Sequence, residues 1–387
     1  MIERIVDGLL DDREQLSITL KTRNGVTRRG AHPNASGTVP PAKTRDITFP
    51  GSTVQEAWRF TVLVRILELI HNCLIDNTIM TKRDMYYRHP DLFMKQSVVD
   101  RYVDDVACTL GISRSSLNVT AAAKGLVIGN FDILRADGTN VNGRNEQEGM
   151  LVPRIHLNDT IDLSSIRWIL VIEKEATFRS LLCSPQWLSL GSQGLMLTAK
   201  GYPDLASREF LRRLADNSPH IPIFALVDFD PDGIAIMSTY KHGSYRLAHE
   251  NVTSKDAPTL NLPQLRWLGV QSHQISRTPG TESDTDNDTI ADVQGLMRLT
   301  TRDRMRALKM LEWDLCAEDG LEQAWRRELQ TMLMLNIKAE MQILDELPGG
   351  LTSWLSAELG ARQGPVVEVG GLVSQAASTS SDDDLLL

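Results

Sequence analysis

The sequence predicts an α/β multidomain chain, with a mainly helical first domain followed by one built on a mostly parallel sheet. Three observations carry that reading. Two apolar runs, in IRWILVIEKEATF (Ile166 to Phe178) and IPIFALVDFDPDG (Ile221 to Gly233), end abruptly in carboxylates, as buried parallel strands do at their C-terminal edge. Upstream, Trp58 to Ile70 and again Asp91 to Leu110 repeat apolar residues at three- and four-residue spacing, the helical period. The chain has 387 residues, 42% of them hydrophobic, enough to bury two cores.

In chain order, residues 1–45 read as a helix and an arm. Ile2, Ile5, Val6, Leu9 and Leu10 share one face of a helix too short to stand alone in water, so it docks on its own domain or on a partner. From Ser17 to Arg45 the Gly, Pro, Asn and Ser content reads as a flexible arm. Its Lys21, Arg23, Arg28, Arg29, Lys43 and Arg45 stand without an acid, and can touch phosphates or merely solvate a linker. Residues 46–150 form the next unit. Ser52 or Thr53 can cap a core helix that runs through Trp58, Val62, Ile66, Leu69 and Ile70. Asp91 to Leu110 keeps helical period through Val98, Val99, Val103 and Val106, and stops at Gly111. Ser113 can cap a further helix carrying Ser115, Ser116 and Leu117, and a strand-like Gly-Leu-Val-Ile-Gly follows at Gly125 to Gly129. Helix, short turn, helix and strand make the outline of a winged helix-turn-helix, which also arises by chance.

Residues 165–350 hold the sheet. One strand runs into Glu173; the other delivers Asp228, Asp230 and Asp232, with Pro231 and Gly233 between and after them. Asp and Gly after a strand are also ordinary turn chemistry. Two neighbouring strands ending in carboxylates, with no His or Cys nearby, suit Mg²⁺ or Mn²⁺, whose shell is completed by water and phosphate oxygens. NLPQLRWLGV, Asn261 to Val270, adds one more element. Thr300 or Thr301 can cap a helix, and Leu321 to Leu344 reads as one long amphipathic helix through Leu329, Leu333, Ile337 and Met341. The acidic stretch 276–292 and the tail 364–387 read as disordered.

Other classes are disfavoured. No apolar run approaches about 18 residues and no signal-peptide pattern is present, so the expectation is a soluble, intracellular chain with no membrane contact. Cys73, Cys108, Cys183 and Cys316 are far apart, which points to a reducing compartment rather than a disulfide framework or a zinc site. The net charge of −9 taken alone argues against nucleic acid, but basic and acidic residues are segregated along the chain. There is no P-loop.

Tyr86 and Tyr87 lie just before the helix-turn-helix outline, flanked by Lys82, Arg83 and Arg88. A pair of packing aromatics is the ordinary account. However, TKRDMYYR, the SRSSL segment, Lys124-Gly125, VIEKEATF, the KGYPD turn (Lys200 to Asp204) and VDFDPDG occur together and in order. From about Ile2 to Leu344 the chain thereby resembles the A subunit of topoisomerase VI, and more closely its eukaryotic relatives that make meiotic double-strand breaks. The resemblance implies a CAP-like winged-helix domain followed by a Toprim domain. It makes Tyr87 the nucleophile, with Tyr86 its ambiguous neighbour, and Glu173, Asp228 and Asp230 the ligands of Mg²⁺, with Mn²⁺ an alternative.

An ordinary tyrosine phenol is ionised at roughly the 10⁻³ level at neutral pH, a cost of about 4 kcal/mol that Arg83 or Arg88 and a metal-polarised phosphate offset. The resemblance further implies double-stranded DNA as substrate, a homodimer when active, and a topoisomerase VI B-like transducer partner held by the N-terminal helix. ATP hydrolysis belongs to the assembly with that B subunit, and the place of action is the nucleus, on chromosomes. Lys124, Lys200, Tyr202 and Arg208 are candidate DNA contacts, each of which can equally be structural. The alternatives are a somatic topoisomerase VI A subunit or a catalytically silent DNA-binding scaffold.

Overall fold

The computed structural model describes residues 1–21, 44–112, 114–120, 123–243, 260–276 and 294–362. Two hydrophobic cores divide them, one drawn from Ile18 to Val119 and the other from Leu126 to Leu359.

In the first domain, α1 (Ile2–Leu10) is followed by β1 (Leu16–Lys21) and β2 (Thr44–Phe49), which pair antiparallel with Leu16 opposite Phe49. The expected flexible arm is therefore strand at both ends. Leu-Ser-Ile-Thr-Leu alternates with a period of two, which buries Ile18 and Leu20, with Ile47 beneath them from the facing strand. The rest of the arm lies outside the described residues. Then comes α2 (Val54–Ile75), capped by the Thr53 side chain, which accepts from the Glu56 N–H. After β3 (Met80–Thr81), a reciprocal Thr81–Asp84 capping box starts α3 (Lys82–Arg88), the helix that carries both tyrosines.

The helix expected from Asp91 is two pieces, α4 (Pro90–Phe93) and α5 (Gln96–Leu110), because Met94 turns to a φ of 62° between them. Gly111, at φ 70°, ends α5 as expected. The second helix of the outline is only a 3₁₀ turn, Ser115–Leu117. Asn118 takes φ 54° and its carbonyl accepts the Met80 N–H, which draws the chain straight into β4 (Val119–Thr120) beside β3. The cap expected at Ser113 lies outside the described residues.

A buried ionic group locks α3 to this domain. Lys82, at the start of α3, lies 2.5 Å from Asp104 of α5, and Arg114 reaches the same carboxylate oxygen at 3.3 Å. All three are buried. Removing one partner of such a group strands the other charges in the interior. Asp104→Ala is expected to lower unfolding stability by about 3–5 kcal/mol in a urea titration.

The second domain opens with β5 (Leu126–Gly129), β6 (Asp132–Leu134), β7 (Asn140–Asn142), β8 (Met150–Leu151) and β9 (Thr160–Asp162). Continuing along the chain are β10 (Trp168–Ile172), α6 (Glu175–Leu182), α7 (Trp187–Leu190), β11 (Gly194–Thr198), α8 (Leu205–Asn217), β12 (Ile223–Leu226), α9 (Pro231–His242) and β13 (Arg266–Gly269). The central sheet has the order β13-β12-β10-β11-β5-β8, with the first four strands parallel and β5 and β8 antiparallel. The Gly-Leu-Val-Ile-Gly strand expected as a wing is β5 of this sheet, and the boundary expected at residue 150 falls between Val119 and Leu126. The reason is burial: all four residues of β5 are enclosed, which a wing strand facing solvent would not require.

From β10 the chain crosses to β11 on one side, whereas from β12 it proceeds to β13 on the other. The carboxyl ends of β10 and β12 thus flank a topological switch point, where open α/β sheets leave a crevice. At the far end, the long helix expected from Leu321 to Leu344 is broken. It runs as Gln323–Leu335, stops where Asn336 takes the left-handed conformation at φ 54°, and resumes as a strand. That strand, β15 (Ile337–Ala339), pairs with β14 (Leu296–Arg298) and bridges to Phe229. The apolar spacing was compatible with a helix throughout, but the contact with Phe229 decided otherwise.

Candidate active site

The carboxylates sit where the switch point predicts. Ile172 faces Leu226 in the β10–β12 register, so Glu173 and Asp228 leave adjacent strand ends. The Asp228 N–H donates to Glu173 Oε2 at 3.0 Å. Asp230 caps α9, with Oδ1 accepting the Gly233 N–H at 2.6 Å. That cap requires glycine, because a Cβ on Gly233 would stand 2.4 Å from the Asp228 carbonyl oxygen. The Phe229–Ala339 bridge then lays the following residues over the centre: Met341 N–H donates to Asp228 Oδ1 at 2.9 Å.

Each of the three carboxylates therefore has one oxygen pinned by a backbone N–H. Outer contacts of this kind orient metal ligands. The second oxygens of Glu173 and Asp230 accept no hydrogen bond from the described residues, whereas Asp228 Oδ2 is held by Lys174 Nζ at 2.8 Å. The same ammonium lies 3.3 Å from Glu340 Oε2.

Electrostatics show what the centre lacks. Burial, then the charge of Asp228, pushes Glu173 up to about 8. Burial likewise pushes Asp230 up to about 6, with the Gly233 N–H working against it. Asp228 is raised by burial despite the opposing Lys174 ammonium. Lys174 is itself raised: burial pulls it down, but Asp228 and Glu340 outweigh that. Ionising all three crowded carboxylates with one ammonium among them is disfavoured without a further cation, and all the donors are hard oxygens. Such a set fits a divalent cation of the Mg²⁺ type. Among the described residues no three acidic, imidazole or thiolate groups form a ready-made cage. Asp232 is turned elsewhere, 2.5 Å from Arg306 Nη1, and it accepts from the Tyr202 hydroxyl at 3.2 Å.

On α3 the two tyrosines differ. Tyr86 packs against the first core, whereas Tyr87 is 58% exposed. Arg83, one helical turn earlier, donates from Nε to the Tyr87 hydroxyl at 3.3 Å, with its guanidinium 5.8 Å from the ring centroid.

Three of the four expected DNA contacts are brought together. Lys124 Nζ donates to the Lys200 carbonyl oxygen at 3.3 Å, and the Lys124 N–H donates to Asp204, the cap of α8. Lys200 Nζ pairs with Glu175 at 3.0 Å, and the Gly201 N–H donates to the Glu173 carbonyl, so the KGYPD turn is fastened to the end of β10. Tyr202 ties that turn to Asp232 and Arg306. Arg208 is the exception: it is 1% exposed on α8, and its expected phosphate contact is withdrawn because its guanidinium has no surface to present.

Sequence reasoning missed Lys174, Glu340 and Arg306. Lys174 was legible as the neighbour of Glu173, and Arg306 belongs to the basic RDRMR run. Glu340 was hidden by the helix expected across it.

Comparison with known proteins agrees with this geometry. Residues 168–351 match the Toprim domain of the topoisomerase 6 A subunit/Spo11 family, and residues 58–119 match Type IIB DNA topoisomerase. The meiotic recombination protein rec12 of Schizosaccharomyces pombe is 33% identical over 352 residues, 89% of this chain and 90% of that protein. The meiotic recombination protein SPO11 of Homo sapiens is 34% identical over 290 residues, 75% of this chain and 68% of that protein. The A subunit of DNA topoisomerase 6 from Arabidopsis thaliana is 33% identical over 296 residues, 76% of this chain and 64% of that protein. With carboxylates at the switch point of a Toprim sheet and relatives matched along most of their length, the chain belongs to the family of Spo11 and the topoisomerase VI A subunit.

Proposed function

We propose that this chain is a DNA transesterase that makes the double-strand breaks initiating meiotic recombination, with Tyr87 as its nucleophile. The single observation that carries the reading is an exposed phenol held by a guanidinium, in one chain with a partly buried three-carboxylate centre. The nearly full-length match to rec12 favours the meiotic role over the somatic one. The test is cleavage of supercoiled DNA with Mg²⁺ or Mn²⁺, denatured and probed for protein on 5′ ends.

In this reading Arg83 holds the Tyr87 oxygen and stabilises its negative charge as the proton leaves. The oxygen forms a bond to a backbone phosphorus, the bond to the 3′ oxygen breaks, and that oxygen takes up a proton, leaving the protein on the 5′ phosphate. The exchange conserves the number of phosphoester bonds. Glu173, Asp228 and Asp230 would hold the cation, which supplies charge stabilisation on the phosphate oxygens when bound. Lys124, Lys200 and Tyr202 line up backbone phosphates, giving affinity that falls with salt and reads little sequence.

One Tyr cuts one strand, so a double-strand break takes two protomers about a two-fold axis matching the duplex. Each Tyr87 then serves the carboxylate centre of the other protomer. ATP hydrolysis would belong to a B-like transducer partner, and the site of action to nuclear chromosomes. The partner surface is α1: Ile5 packs on the first core while Val6, Leu9 and Leu10 stay exposed. Leu9→Asp is expected to abolish capture of the B-like partner in a pull-down while the thermal unfolding midpoint stays at the parent's value. Retained capture counts against α1 as the docking element.

A further inference from the structure

Lys174 stands out because it occupies a place the proposed chemistry does not use. Its ammonium lies 2.8 Å from Asp228 Oδ2 and 3.3 Å from Glu340 Oε2. The other Asp228 oxygen is committed to the Met341 N–H. Oδ2 is the Asp228 oxygen that no backbone N–H of the described residues holds, and a side chain of this protein already holds it. Glu340 is placed there by construction: its own N–H donates to the Gly295 carbonyl at 2.8 Å, and the Phe229–Ala339 bridge fixes the residue before it. It lies at the rim, with its side chain 41% exposed against 9% for Asp228. The ammonium thus spans an inner, enclosed acceptor and an outer, solvated one.

We propose that Lys174 is a tethered competitor for the metal: its ammonium holds Asp228 Oδ2, and loading a divalent cation requires it to withdraw to Glu340 at the rim. This rests on the metal-centre reading above. A monovalent charge on a flexible four-carbon stem is well suited to the task, since it can leave the inner oxygen without moving backbone. Without it the crowded carboxylates would repel one another, and with a metal present its charge would be redundant inside the centre. DNA phosphate, being negative, favours both the incoming cation and an ammonium moved outward to the rim. By thermodynamic linkage, metal and DNA then strengthen each other's binding, and part of that coupling runs through Lys174. The arrangement offsets part of the centre's negative charge and keeps it unloaded until substrate arrives.

The sign of the effect separates this role from a supporting one. A residue that merely orients metal ligands lowers affinity by roughly 10–100-fold when lost; a competitor raises it. The full chain is titrated with Mn²⁺, free ion being read by electron paramagnetic resonance, for the parent, Lys174→Met and Lys174→Gln. Circular dichroism and thermal unfolding verify that each is folded, and using two neutral replacements keeps the test open if one is not. The expected result is Mn²⁺ binding about tenfold tighter or better in both, a change of the same scale with reversed sign. A short duplex should tighten Mn²⁺ binding more for the parent than for the variants.

Glu340→Gln should alter affinity in the parent but not in the Lys174→Met background, because Glu340 acts through the ammonium. Equal or weaker Mn²⁺ binding by the folded Lys174 variants overturns the inference and leaves the metal centre standing. Absence of Mn²⁺ uptake by parent and variants alike overturns the centre itself, and the inference with it.

Discussion

Tyr87→Phe is expected to eliminate covalent protein–DNA ends, and Tyr86→Phe to leave them at the parent's level. The first substitution deletes one oxygen, the only atom of the side chain able to bond phosphorus, and changes little else. Tyr87 is exposed, so its ring contributes little to the core, and the fold should be intact by circular dichroism. DNA binding should also persist, because phosphate contacts on other side chains supply it. Tyr86 packs against the first core beside Tyr87, with ring centroids 5.5 Å apart, and is not presented as Tyr87 is. The readout is supercoiled DNA incubated with Mg²⁺ or Mn²⁺, with the B-like partner added in parallel, then denatured and probed for protein at 5′ ends. Ends lost with Tyr86→Phe and kept with Tyr87→Phe would reverse the assignment. Their absence from the parent in every mixture, with DNA still bound, would leave a scaffold.

The second large effect is at Glu173. Glu173→Gln should weaken Mn²⁺ binding by at least about 100-fold, the upper end of what losing even an orienting partner costs. Covalent ends should vanish with it. The amide oxygen can still accept the Asp228 N–H that Glu173 Oε2 now accepts at 3.0 Å, so the strand ends should stay joined.

The metal-free protein supplies a second, independent signature. Glu173 is pushed up to about 8 in the fold from its ordinary 4.5, so the folded state holds that proton more tightly than the unfolded chain does. Its contribution favours folding at acid pH and is lost as pH rises from 4.5 through about 8. Asp230 acts with the same sign between its ordinary 3.8 and about 6. The parent's thermal midpoint should therefore fall between buffers of about pH 5 and about pH 8.5 more steeply than that of Glu173→Gln, which has no proton to lose. Mn²⁺ should restore the parent at the higher pH and do nothing for the variant. A parent profile as flat as the variant's would mean that Glu173 is not held protonated by its surroundings.

Much of this was written in local chemistry. Thr53 caps its helix by accepting the Glu56 N–H, Thr300 caps its own in a reciprocal box with Asp303, and Gly111 ends α5 because it alone there tolerates a left-handed φ cheaply. The strands ending at Ile172 and Leu226 were legible because residues buried on both faces must all be apolar, and the carboxylates stand where that requirement stops. The family resemblance rested on the same motifs, and it marked Tyr87 over Tyr86 as the candidate nucleophile.

What sequence alone determined was the identity of these groups and their place at the ends of secondary structure, since caps, periodicity and apolar runs depend on neighbours a few residues away. What only the tertiary structure decided depends on distant contacts. Pairing with a neighbouring strand took Leu126–Gly129 from a wing into the central sheet. Burial removed Arg208 from the candidate DNA contacts. The bridge between Phe229 and Ala339 broke an apparent helix, and so carried Glu340 and the Met341 N–H to Asp228, 113 residues away along the chain. Periodicity records which face of an element is apolar and is silent about which partner covers it. The surroundings of the carboxylate centre, Lys174 and Glu340 included, were fixed by that choice of partner.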